Sequence, residues 1–114
     1  MGLDQKAFTR EDTELITWRK HNRLQGWMEE LWRKKTGSKD GVFNLEDLEL
    51  EMKDIESLEE AVMNKKLPVT SGFFFGDDSY VEYEKWHLEE DLEFIKMAKT
   101  ALGNKQRLFY RSWW

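Results

Sequence analysis

The sequence predicts a mainly α domain, a three-helix antiparallel bundle with a short C-terminal β-strand or hairpin as its minor β component. Three observations predict it. Pro68 is the only proline, so long helices are permitted. Apolar residues recur at helical spacing in three separate stretches. The end of the chain, Arg107 to Trp114, alternates in the manner of a strand. With 114 residues, 39% of them hydrophobic, the chain fits one domain spanning residues 1–114.

The first helix is expected from about Thr13 to Lys35. At 100° per residue, Leu24, Trp27, Met28, Leu31 and Trp32 share one side, with Arg19, Arg23, Glu30 and Arg33 opposite. A turn over residues 36–41 ends it. Asn44 is the expected N-cap of a second helix reaching about Lys65, with Leu45, Leu48, Met52, Ile55, Val62 and Met63 as its stripe. Glu59 falls inside that stripe. A loop with Pro68 leads to an aromatic run, Phe73, Phe74 and Phe75, bracketed by Gly72 and Gly76. Asp77 or Ser79 caps a third helix, stopped by Gly103 and Asn104. Its apolar face carries Tyr83, Phe94, Ala98 and Leu102 together with two polar residues, His87 and Asp91. The terminal strand is expected to pair with Phe73–Phe75.

Charge is distributed in blocks. Thr17 to Lys39 holds seven basic residues and two acids; Glu46 to Glu60 holds eight acids and one base. The simplest arrangement lays a basic first helix against two acidic ones. The formal net charge of −5 argues against nucleic-acid binding. No apolar run approaches the ~18 residues of a membrane span, and the N-terminus lacks the apolar region of a secretion signal. The absence of cysteine excludes thiolate metal sites and cysteine nucleophiles.

His87 and Asp91 lie one turn apart on a buried face, so each needs a partner; Glu59, Arg19, His21 and Asn22 are the candidates. Asp91 paired with Arg19 or His87 would fix how the helices dock. Residues 36–47 resemble a calcium loop only in part, with Gly41 at its sixth position, Thr36 where an Asp is needed and Asp47 where a Glu is needed. Glu56–Glu59 and Glu90–Glu93 have the spacing of magnesium-binding pairs in helical nucleotide pyrophosphohydrolases, but Glu90 and Glu93 turn away from the apolar face. Neither supports a metal or cofactor, and no enzymatic activity is expected.

Two readings of function follow. Six Trp, seven Phe and three Tyr exceed what one small core covers, so the chain is expected to be a non-enzymatic interaction or oligomerisation module, a homo-oligomer or a binder of another protein, with Trp113 and Trp114 at the interface. Alternatively, Arg19, Asn22 and Arg23 would meet the phosphates of a small anionic ligand such as a nucleotide. Phe73, Phe74 or Phe75 would then stack on its base, near His87 and Asp91.

The segments Trp18-Arg19-Lys20-His21-Asn22-Arg23 and Thr70-Ser71-Gly72-Phe73-Phe74-Phe75-Gly76, with Glu90-Asp91-Leu92 and the ending Ser112-Trp113-Trp114, resemble a family of small uncharacterised proteins encoded by tailed phages. Members often carry Trp-Arg-Lys-x-Asn, then a His and a Trp, and later Ser-Gly-Phe-Phe. The likeness covers roughly residues 15–32 and 67–114, and Gln25 stands where that His would be. It implies a phage accessory protein acting in the cytoplasm of the infected cell, with a host or virion protein as partner. It transfers no catalytic residue.

Overall fold

A computed structural model describes residues 3–9, 14–19, 21–37, 41–67 and 87–113. Along the chain these form β1 (Asp4–Thr9), β2 (Glu14–Arg19), α1 (Asn22–Thr36), β3 (Leu48–Leu50), α2 (Met52–Met63), α3 (Leu88–Gly103) and β4 (Leu108–Trp113). The strands make one antiparallel sheet in the order β2-β1-β4-β3. The fold is therefore α+β, which overturns the mainly α bundle.

The physical reason lies in two stretches. The expected first helix begins as β2, where Ile16-Thr17-Trp18 is β-branched and aromatic, and becomes helical only at Asn22. The expected second helix begins as β3, and its true start is Met52. There the Glu51 N–H donates to Asp54 Oδ2 at 2.9 Å, so Asn44 is not its cap. The third helix begins, among the described residues, at Leu88. β4 is the expected terminal strand, but it pairs with β1 and β3; Phe73–Phe75 lie outside the described residues.

One face of the sheet carries the core. Gln5, Ala7 and Thr9 on β1 alternate inward opposite Ser112, Tyr110 and Leu108 on β4, all buried. Leu24, Met28 and Trp32 of α1, Ile55 and Leu58 of α2, and Phe94, Ile95 and Ala98 of α3 join Tyr110 and Trp18 in the same cluster. A shift of register between Ala7 and Phe8 inserts one extra residue into β2, a bulge at Leu15. Leu15 and Ile16 both pack against the core as a result.

The other face is closed by its own side chains. Phe8 stacks on Phe109 with ring centroids 5.6 Å apart, and Lys6, Arg111 and Arg107 lie over these rings. Arg107 grips Glu49 with two hydrogen bonds of 2.7 and 2.8 Å, and Arg111 pairs with Asp47. At the helix ends, the Gly37 amide donates to Arg33 O from a left-handed φ of 72°. Two basic residues of α1 find acidic partners: Arg33 pairs with Glu29 one turn away, and Lys35 joins α1 to Asp54 of α2.

Candidate functional site

Where β2 runs into α1, the inner face of the sheet holds a buried polar cluster. His21 is the N-cap of α1, and its ring and backbone are fixed from three sides. The Leu24 amide donates to His21 Nδ1 at 3.3 Å, which assigns the ring proton to Nε2. Nε2 then donates to Asp91 Oδ2 at 2.7 Å, and Trp18 Nε1 donates to Asp91 Oδ1 at 3.1 Å. His21 and Asp91 are each only 1% exposed.

Gln5 on β1 clamps the backbone of His21. Its Oε1 accepts from His21 N at 2.9 Å and its Nε2 donates to His21 O at 3.1 Å. Gln5 Nε2 also donates to the Tyr110 hydroxyl at 2.8 Å, and that hydroxyl donates to Gln25 Oε1 at 2.6 Å. Complete burial pushes the Tyr110 phenol far above its ordinary value, so it stays protonated and the chain of donors keeps one direction. Gln25 Nε2 is buried with no hydrogen-bond partner among the described residues.

His87, the N-cap of α3, stacks on His21 with centroids 4.2 Å apart and rings 9° from parallel. Its Nδ1 lies 3.1 Å from Glu90 Oε1. Burial first, and then the neighbouring His21, hold His87 below the usual imidazole value of 6.5, against the pull of Glu90 and Asp91. Two helix N-termini converge on this ring pair.

A histidine hydrogen-bonded to a carboxylate is the geometry of a general base, but only when the second ring nitrogen faces a substrate. In His21 that nitrogen caps α1. The cluster works as an anchor, joining β1, β2, β4, α1 and α3 at one buried point. A cleft of about 330 Å³, lined by Asp4, Gln5, Thr17, Trp18, Arg19, Glu90 and Trp113, lies outside it at the end of the sheet.

The structure brings His87 and Asp91 together with His21, and gives Asp91 to His21 and Trp18 rather than to Arg19 or His87. It does not gather the three residues expected to meet an anion. The Arg19 side chain is 80% exposed and faces Asp4 at 3.8 Å. Arg23 is buried and donates to the Leu67 carbonyl at 2.9 Å. Asn22 opens α1, and its side chain lies outside the described residues, as do Phe73, Phe74, Phe75 and Trp114. Glu59 pairs with Lys99 at 2.7 Å across the α2–α3 contact, away from the cluster. Trp113 ends β4 and is 37% exposed.

In the calcium-like loop, Asp47 is engaged by Arg111 and the Thr36 hydroxyl donates to Trp32 O; Ser38 and Asp40 lie outside the described residues. No group of three or more acidic or histidine side chains converges as a metal site among the described residues. No helix among them is long and apolar enough to cross a membrane. Gln5, Trp18, Gln25 and Tyr110 were not among the expected site residues. The signal that could have found Gln5 is its place in the alternation Gln5-x-Ala7-x-Thr9.

Comparison of the chain with protein-family models, with curated proteins and with solved structures finds no match.

Proposed function

We propose that the chain is a non-enzymatic interaction module that docks another protein through the end of its sheet. The observation that carries this is Leu45. It sits at φ 59°, the left-handed region that a branched residue enters only at a cost of about 1–2 kcal/mol, and its side chain is 66% exposed. Its amide donates to Ser112 O at 2.8 Å, which sets it beside the end of β4 and Trp113. Val42, three residues earlier, is 68% exposed. Apolar side chains at one end of a sheet, one of them on a strained backbone, suit a protein contact better than the solvent.

The resemblance to tailed-phage proteins supports reading the chain as a phage-type accessory protein in the cytoplasm of the infected cell, with a host or virion protein as partner. The scattered positions of Arg19 and Arg23 give the anionic-ligand alternative less support. The test uses immobilised protein and extract of infected host cells. The wild type is expected to retain a defined protein that a Leu45→Gly, Trp113→Ser variant releases. Leu45→Gly alone is expected to raise stability by about 1 kcal/mol, because glycine relieves the backbone strain. Equal retention by both forms overturns the proposal.

A further inference from the structure

We infer that two copies of this chain join through β2, edge to edge and antiparallel, about a two-fold axis centred on Thr17. The inference deepens the interaction reading by naming one partner as a second copy, and it uses the edge of β2 rather than the Leu45 end of the sheet.

The two edges of the sheet differ. β3 is three residues long, and Lys35 takes its Glu49 carbonyl at 2.7 Å while Arg107 holds the Glu49 side chain. That edge is short and covered by charge, the usual protection against pairing with another strand. β2 has six residues, and among the described residues its backbone bonds to β1 alone. Its centre, Ile16-Thr17-Trp18, carries no charge, and the bulge lies at its beginning, leaving Ile16 to Arg19 in regular register with β1. Among the described residues such an edge leaves a row of backbone donors and acceptors that an extended strand can pair with.

A second copy fits this edge for reasons of symmetry. In an antiparallel pair, opposite residues point to the same face. Trp18 and Ile16 point inward and Thr17 outward, so a two-fold axis at Thr17 sets Thr17 opposite Thr17 of the other copy. It sets Ile16 opposite the other Trp18, a β-branched residue beside an aromatic on the core face. The same axis brings a second feature to the junction. Beside β2, a groove of about 280 Å³ is lined by Leu15 with Glu93, Lys96, Met97, Thr100, Ala101 and Gln106. Across that axis Leu15 falls opposite Arg19 of the other copy, so each groove adjoins the far end of the other β2.

The experiment exploits the axis. At micromolar concentration, light scattering is expected to give twice the mass of one chain. Thr17→Lys and Thr17→Glu, each at an exposed position, set like charges face to face and are expected to halve that mass while leaving far-UV circular dichroism unchanged. Mixing the two variants in equal amounts is expected to restore the doubled mass. Because the chain has no cysteine, Thr17→Cys offers a second readout. Opposed strand positions lie within disulfide reach, so mild oxidation is expected to cross-link it, whereas Met63→Cys, exposed on α2, stays uncross-linked. A single-chain mass for the wild type, dimers that persist in both charged variants, or a mixture that stays monomeric with no Thr17→Cys cross-link overturns the inference. A dimer that survives Leu45→Gly separates this result from the fate of the docking proposal.

Discussion

At the β2 side of the sheet, the side chains that fix the strand to the helices are buried and meet one another directly: Trp18 and His21 on Asp91, Gln5 on the His21 backbone. At the β3 side, Leu48 and Leu50 enter the apolar core, and ion pairs are added over them: Arg107 on Glu49, Arg111 on Asp47, and Lys35 on the buried Asp54. The first kind of anchor has few conformations and depends on every member being present. The second tolerates loss, because water replaces a missing partner. Among the described residues the backbone of β2 bonds to β1 alone, whereas the edge at β3 is covered by Lys35 and Arg107.

The largest test of this contrast is Asp91→Ala. It strands the His21 Nε2–H and the Trp18 indole N–H in a dry site, so urea denaturation is expected to show a loss of about 3–5 kcal/mol. A loss as small as a surface substitution gives would end the distinction. Tyr110→Phe removes the hydroxyl that links Gln5 to Gln25, and the same measurement is expected to show about 1–3 kcal/mol. Proton linkage comes next. The folded state holds His87 below 6.5, so the unfolded chain binds the proton more readily, and stability is complete above that value and falls as the pH drops from it through the folded value. Melting temperature is expected to decline over that acid window, and His87→Gln is expected to flatten the decline. The smallest effect is expected at the β3 edge. Arg107→Ala should move the denaturation midpoint only slightly at low salt and not measurably at high salt.

The parts of the fold that were legible are those where one period dominates. β4 alternates buried and less buried residues from Leu108 to Ser112, and α1 keeps its apolar stripe from Leu24 to Trp32. The missed strands break the rule by which strands are recognised. β1 turns Gln5 and Thr9 toward the core, so its inner face reads as polar. In β2 the bulge sets Leu15 and Ile16 on one face, which mimics the adjacent apolar residues of a helix. Leu45, Leu48, Met52 and Ile55 share a spacing of three to four residues by coincidence, since the first is in a turn and the second in β3. Within the site, His87 and Asp91 were legible as polar residues on an apolar helix face. Their company was not, because Gln5 and Tyr110 are close only after β1 and β4 have paired.

That last pairing joins Asp4 to Trp113 and Thr9 to Leu108, the first described strand to the last. While the chain emerges from the ribosome, β1 waits with its inner neighbour still unmade, and only a β1–β2 hairpin and helices can form beforehand. The sheet therefore closes only after β4 has been made, and a chain cut before Leu108 loses the middle of the sheet rather than its margin.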